Sequence, residues 1–187
     1  MSKIALISVY DKEGIVEFAQ ELIENDWSII SSGGSAKHLE EHGIKVTKVE
    51  NVTQYPELLS GRVKTLHPKI HAGLLARSDN KKDMQDLENH EISKIDLLVC
   101  NLYPFAKTFA MSSDEHEIIE NIDIGGPAMI RAAAKNYENV FVIVDKDDYQ
   151  IPDESMRQSL AAKAFAMTAR YDVMIADYFA SDDFPKT

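Results

Sequence analysis

The chain has little cysteine and no long apolar run. Among its 187 residues Cys100 is the one cysteine, so an internal disulfide is excluded and a reducing compartment is expected. No apolar run approaches the roughly 20 residues needed to span a bilayer. The opening Met-Ser-Lys runs straight into a strand pattern and lacks the apolar region and cleavage site of a signal peptide. We therefore expect a cytoplasmic protein with no membrane partner.

Positive charge is also scarce. The chain has 20 Lys and Arg against 31 Asp and Glu, a formal net charge of -11. This balance argues against a nucleic-acid partner, because affinity for a phosphate backbone depends on clustered cations. The length suits one domain with a full core, or one domain plus an arm. A small anionic ligand stays possible, since a local cluster of cations acts at short range.

One irregular segment, residues 60–73, gathers the cations that the rest of the chain lacks. Its five potentially cationic side chains are Arg62, Lys64, His67, Lys69 and His71. Such a segment favours an anion site on a loop, although a solvated basic surface loop gives the same pattern. His67 and His71 have a spacing found in some zinc sites, but Pro68 argues against a continuous helix and no Cys or paired carboxylate completes a ligand set. We therefore predict no metal site.

Apolar runs alternate with helical periodicities along the chain. Strands are predicted at residues 4–9, 27–30, 46–49, 96–100 and 140–144, and helices at 15–23, 36–42, 128–136 and 154–180. Continuous apolar strands between helices predict an α/β fold, a three-layer open parallel sheet with helices on both faces, followed by a long C-terminal helix. We divide the chain into a domain over residues 1–150 and a helix with the start of a linker over 151–187.

Unusual sequences follow the predicted strands, where open α/β sheets bind their ligands. They are residues 8–12, residues 32–35, the basic segment, and Asn101 with Tyr103. The Ser-Gly-Gly-Ser run at 32–35 has the chemistry of a phosphate cradle, because glycines allow close approach and a helix start offers free N–H groups. An ordinary serine-capped turn has the same sequence. Cys100 closes an apolar strand, a position more typical of inert core than of a nucleophile.

Several stretches together resemble the inosine monophosphate (IMP) cyclohydrolase domain of the bifunctional purine-biosynthesis enzymes. They are ISVYDKEGIVEFA, SSGGSAKHL, PELLSGRVKTLHPKIHAGLLAR, CNLYPF, NIDIGG, IRAAAKN and AAKAFAMTARYDVMIADYF. The family's fold is similar to that of methylglyoxal synthase. The resemblance implies ring closure of 5-formamidoimidazole-4-carboxamide ribonucleotide (FAICAR) to IMP, with loss of water and no cofactor. It also implies a homodimer, and a formyltransferase domain that this chain lacks.

The same resemblance implies two groups of site residues. The catalytic group is Lys64, Tyr103, Asp123 and Lys135. The substrate-binding group is Tyr10, Asp11, Lys12, Ser32, Gly33, Gly34, Ser35, Arg62, Val63, Thr65, Cys100, Asn101, Ile124 and Gly125. Lys135 falls at the family's proton-transfer position. Whether it acts as the acid or the base stays open, because a close Asp123 favours the protonated amine whereas Arg131 and burial favour the neutral amine. Tyr10 departs from the family, where many relatives have serine, and Ser35 stands where threonine is usual.

Two alternatives stay open. A lyase like methylglyoxal synthase would act on a triose phosphate, but it would need a carboxylate base in a small site and leaves RVKTLHPKIHAG and CNLYPF unexplained. A non-catalytic module that senses a phosphorylated nucleotide would keep the phosphate site alone. Retention of Lys64, Tyr103, Asp123 and Lys135 together would be unexpected in such a sensor.

Overall fold

The protein is described here by a computed structural model that covers residues 2–103, Phe105, Phe109 and 114–180. In this part of the chain a parallel sheet of five strands lies at the centre, in the order β3-β2-β1-β4-β5. The strands are β1 Lys3–Ser8, β2 Trp27–Ser31, β3 Thr47–Lys48, β4 Leu97–Cys100 and β5 Phe141–Ile143. All four strand pairs are parallel. The predicted open α/β sheet is confirmed.

The central strands are buried on both faces, which explains their continuous apolar sequences. Leu6 of β1 lies between Ile30 of β2 and Leu98 of β4, and both leucines are fully buried. The third strand is shorter than predicted. It has two exposed residues that pair with the end of β2, and the chain turns into a helix at Val49, so the range 46–49 was wrong in length.

The continuous ranges 2–103 and 114–180 contain eight α-helices. They are α1 Ile15–Glu24, α2 Gly33–Glu41, α3 Val49–Thr53, α4 Pro68–Leu75, α5 Lys81–Asn89, α6 Glu115–Glu120, α7 Gly125–Lys135 and α8 Arg157–Phe179. The four predicted helices correspond to α1, α2, α7 and α8. Helix α7 begins three residues earlier than predicted, because the Asp123 side chain accepts a hydrogen bond from the Gly126 N–H and the chain is already helical from Gly125.

The second half of the basic segment is helical, against the prediction. Pro68 begins α4 at a position where its missing N–H leaves no hydrogen bond unmade. His67 caps the helix, since its Nδ1 accepts from the Lys69 N–H at 3.1 Å. Proline therefore starts this helix instead of interrupting one.

Helix α8 packs against α7 and β5 and completes the core. Leu160, Ala161, Ala164 and Tyr171 are its buried hydrophobic residues. No helix in the described ranges is long and apolar enough to cross a membrane. The division at residue 150 stays a prediction. Residues 181–187, expected to begin a linker, and Pro104 of the CNLYPF motif lie outside the described residues.

Candidate functional site

A polar cleft of about 390 Å³ opens where β1, β2 and β4 end. The predicted site residues that line it are Tyr10, Lys12, Ser32, Gly33, Gly34, Ser35, Arg62, Lys64, Thr65, Asn101, Tyr103, Asp123, Ile124 and Gly125. Residues that were not individually predicted also line it. Ser8, Val9, Ser60, Gly61 and Leu66 belong to segments that the sequence placed at this edge, and Ile119, Glu120, Ile122, Gly126 and Met129 complete the lining. The parallel sheet brings the ends of its strands to one edge, and this explains why segments far apart in sequence meet here.

One end of the cleft is the N-terminus of α2. Ser32 is extended and Gly33 has a positive φ of 50°, so the chain turns sharply from β2 into the helix. The N–H groups of Gly33 and Gly34 lie in the first turn, where an α-helix leaves its donors without intrahelical partners. A helix N-terminus of this kind attracts anions. The buried Ser35 hydroxyl, by contrast, both accepts from the Val9 N–H and donates to the Val9 carbonyl, at 2.9 Å each, and so ties α2 to β1.

Lys64 lies directly over this helix start. A Cβ added to Gly33 would lie 2.6 Å from the Lys64 Nζ, so glycine is required for the ammonium to approach so closely. The ammonium also pairs with the Glu57 carboxylate at 3.0 Å. Lys64 therefore sits beside the free N–H groups while an acidic partner holds it.

Two further cations border the same end. The Lys12 Nζ donates to the Tyr10 carbonyl at 3.1 Å and lies 4.0 Å from the position of a Cβ on Gly34. Arg62 is more exposed, and its guanidinium is 3.6 Å from the Glu120 carboxylate. Cations and helix N–H groups together make this end of the cleft attractive to a dianion such as a phosphate.

Asn101 organises the rim of the cleft. Its Oδ1 accepts from the N–H groups of Tyr10 and Asp11, at 2.6 and 3.1 Å, and its Nδ2 donates to the Asp11 carbonyl at 2.9 Å. These bonds fix the loop after β1 and bring the Tyr10 ring to 4.8 Å from the Tyr103 ring. Both tyrosines are about half exposed. Asn101 thus shapes the loop that presents this aromatic pair.

Asp123 lies at the other end of the cleft, before α7. Its Oδ1 accepts from the Gly126 N–H at 2.9 Å, and its own N–H donates to the Tyr171 hydroxyl at 2.7 Å. Burial raises the pKa of the Asp123 carboxyl, against the opposing effect of hydrogen bonds from Gly126 and Gly125. The Thr65 hydroxyl is 2.8 Å from the position of a Cβ on Gly125, so a second polar group lies against the start of α7 in the same cleft. A carboxyl with a raised pKa is a stronger base when ionised and keeps its proton to higher pH, which suits a group that transfers protons.

Four predicted site residues do not line the cleft: Asp11, Val63, Cys100 and Lys135. The Asp11 carboxylate accepts from the Glu13 N–H and closes a turn. Val63 forms a backbone bridge with Leu58. Cys100 is buried, and burial first, then the charge of Asp123, raises the pKa of its thiol, as expected of an inert cysteine.

Lys135 is the largest departure from the predicted arrangement. It is exposed and is the last residue of α7, whereas the cleft lies at the first residue, Gly125. Ten residues of α-helix correspond to about 15 Å along the axis. The neighbouring Arg131 guanidinium lies 5.6 Å from the centre of the Phe165 ring. The geometry of the single chain therefore gives no support to an Asp123–Lys135 pair.

The described residues contain no group of three His, Cys, Asp or Glu able to hold a metal ion. His67 is a helix cap, and burial lowers the pKa of His71. The histidine spacing is explained by the start of α4.

Comparison with known proteins gives two family matches. A family model described as MGS-like domain matches residues 14–128, and one described as AICARFT/IMPCHase bienzyme matches residues 133–187. The crystal structure of ForH is similar with a TM-score of 0.83 and 32% identity, over 95% of this chain and 96% of that chain.

Curated relatives are longer than this chain. The chain is 50% identical to the bifunctional purine biosynthesis protein PurH of Oenococcus oeni over 98% of its own length and 38% of the relative. It is 52% identical to PurH of Streptococcus suis over 96% of its own length and 37% of the relative. The chain belongs to the family of MGS-like domains, in the form that the bifunctional purine biosynthesis proteins PurH contain.

Proposed function

We propose that this chain is an IMP cyclohydrolase, which closes FAICAR to IMP with loss of water. The observation that carries the proposal is one cleft with two chemically different ends. The N-terminus of α2, with Lys12 and Lys64, suits a phosphate, and the half-buried Asp123 with Thr65 suits proton transfer. The PurH relatives support the same reaction, since purine biosynthesis is in their names.

The phosphate end would anchor the ribonucleotide. The first-turn N–H groups of Gly33 and Gly34 and the Lys12 ammonium would each donate to phosphate oxygens. Lys64 and Arg62 would exchange their carboxylate partners, Glu57 and Glu120, for the ligand. Anchoring at this end would fix where the base lies along the cleft, and such positioning can contribute several kcal/mol to catalysis.

The reaction forms one C–N bond and releases one water. The carboxamide nitrogen attacks the formyl carbon and loses a proton, while the formyl oxygen gains one, which gives a cyclic carbinolamine. The hydroxyl of that intermediate then leaves as water with the proton of the neighbouring ring nitrogen, and a C=N bond forms. No electron is transferred to an outside acceptor and no group is donated, so the proposal includes no cofactor.

Asp123 is our candidate for moving these protons. Its raised pKa lets the carboxylate take the amide proton and the carboxylic acid deliver a proton to the leaving hydroxyl. The hydroxyl groups of Thr65 and Tyr103 and the Lys64 ammonium are candidates for stabilising the oxyanion. Lys135 stays a predicted catalytic residue from family resemblance, but its place at the far end of α7 argues against direct contact with the substrate.

The wider setting is also a proposal. We infer that the full-length protein carries a formyltransferase domain, works in the cytoplasm, and forms a homodimer without nucleic-acid or membrane partners. Exposed apolar side chains on α8 support self-association, because Phe165, Val173, Met174 and Phe179 are 37 to 55% exposed. Sedimentation should give about twice the monomer mass at micromolar concentration, and a monomer well above that concentration would contradict the dimer.

The test is turnover. Purified chain is mixed with FAICAR, and the appearance of the IMP absorbance is followed, with Asp123→Asn as the inactive control. IMP formation by the wild type and its loss in Asp123→Asn support the proposal. Binding of IMP without turnover would favour a nucleotide sensor, and release of methylglyoxal from a triose phosphate would favour the lyase.

A further inference from the structure

Tyr171, on the C-terminal helix α8, contacts the loop between α6 and α7 that contains Asp123. It lies on α8, is 4% exposed, and packs edge-on against the Phe105 ring at 6.3 Å. Its hydroxyl is 2.7 Å from the backbone nitrogen of Asp123 and 3.4 Å from the carbonyl oxygen of Asn121. The hydroxyl therefore accepts from one residue of the loop and donates to another.

The Tyr171 hydroxyl is the hydrogen-bond acceptor for the backbone of Asp123 in the loop between α6 and α7, whereas the N–H groups of Asn121 and Ile122 bond back to α6. Asp123 is fixed at two points, its N–H by Tyr171 and its Oδ1 by the Gly126 N–H. Without the phenol hydroxyl the part-buried Asp123 N–H would lose this acceptor, and a donor that is left without a protein partner is less favourable the less water reaches it. The loop would then relax and turn the carboxyl away from its present direction.

We propose that Tyr171 is a positioning residue, which holds Asp123 in the orientation that ring closure needs. The inference rests on the proposed cyclohydrolase function for its kinetic consequence. The phosphate end of the cleft, at Gly33 and Lys64, is built from other segments, so loss of the hydroxyl leaves ligand anchoring in place. A displacement of about 1 Å at a reacting group can lower the rate by about 10²-fold.

The variant Tyr171→Phe removes the hydroxyl and keeps the ring. Tyr178→Phe is the matched control, because Tyr178 lies two turns further along the same face of α8 and its ring also packs on Phe105, at 5.8 Å. Calorimetric titration with IMP gives the fraction of binding-competent protein for each variant. Turnover is then expressed per IMP-binding site, which removes the effect of partial unfolding.

We expect Tyr171→Phe to lower kcat per binding site by about 10- to 100-fold, with KM for FAICAR within about threefold of the wild type. Tyr178→Phe should stay within about twofold in both. Unchanged kcat in Tyr171→Phe, an equal loss in Tyr178→Phe, or failure of Tyr171→Phe to fold would overturn the inference, since the hydroxyl is assigned to one loop and not to the stability of the helix.

A second readout does not depend on activity. Amide hydrogen exchange should be faster over residues 121–126 in Tyr171→Phe than in the wild type, and unchanged over 33–41. Equal exchange in the loop would overturn the inference even in an active enzyme. A wild-type chain that makes no IMP but shows faster loop exchange in the variant would instead refute the proposed function and keep the positioning role.

Discussion

Gly33 is the position where a single methyl group should separate ligand binding from folding. Its φ is 50°, and a Cβ there would lie 2.6 Å from the Lys64 Nζ. Gly33→Ala should lower the free energy of unfolding by about 1–2 kcal/mol, the range for an L-residue in the left-handed region. The methyl group would also push the Lys64 ammonium from the helix start and keep a phosphate from the first-turn N–H groups.

The expected loss of affinity follows from that contact. A hydrogen bond to a charged group contributes about 1.5–3 kcal/mol, which corresponds to about 10- to 150-fold in Kd for IMP. Gly43→Ala is the control, because Gly43 has a similar backbone conformation, with φ of 79°, but nothing within 4 Å of an added Cβ. Gly43→Ala therefore introduces the same backbone strain as Gly33→Ala without a contact to Lys64.

Two measurements on each variant test whether α2 binds the phosphate. Urea unfolding gives stability, and calorimetric titration with IMP gives affinity. The two variants should lose similar stability, and Gly33→Ala alone should bind IMP more weakly. If Gly33→Ala keeps wild-type affinity, or if Gly43→Ala loses as much, α2 is not the phosphate site.

Further predictions concern the other end of the cleft. Asp123→Asn should lower kcat by about 10²–10⁴-fold, whereas Lys135→Ala should change it by less than about tenfold; steady-state kinetics would show the opposite order if Lys135 carried the proton. Stability should also respond to pH. Because burial raises the pKa of Asp123, this carboxyl loses its contribution to stability as pH rises from its ordinary 3.8 through the raised value. Relative to the wild type, Asp123→Asn should therefore gain unfolding free energy as pH rises from about 4 in urea titrations; a difference independent of pH would contradict this.

The sequence contained enough to predict the sheet and its long closing helix. Continuous apolar runs such as 96–100 and the helical periodicity over 154–180 are direct consequences of burial, so they can be read without a structure. The bounds or existence of short elements were not predicted correctly, because local interactions determine where such elements form. The edge strand at 47–48 buries nothing, and α5 depends on Asn80, whose side chain caps the helix by accepting from the N–H groups of Lys82 and Asp83.

The cleft was predictable in outline for a different reason. The ends of parallel strands meet at one edge, so the segments after β1, β2 and β4 had to converge. The roles of individual side chains were harder to predict from the sequence. A helical repeat says that Arg131 and Lys135 share a face, but not that the cleft lies at the opposite end of α7. The link between Tyr171 and Asp123 joins residues 48 apart and required the packed helix.

The counter-ions of the cleft were missed as well. Glu57 and Glu120 pair with Lys64 and Arg62, although nothing in their own sequence context separates them from the other acidic residues. A signal existed only in the excess of carboxylates around a short cationic segment. Glu57 lies between α3 and the basic segment and Glu120 ends α6, so their position against the cations depends on the packing of separate elements.

In the proposed complex a ribonucleotide lies across the cleft with its phosphate on α2 and its base beside Asp123. A crystal structure of the chain with bound IMP would show whether it does. We predict phosphate oxygens within about 3.2 Å of the Gly33 and Gly34 nitrogens and the Lys12 Nζ, with the base between Tyr103 and Asp123. A phosphate bound elsewhere, for example against Lys135 at the other end of α7, would show that α2 does not bind the phosphate.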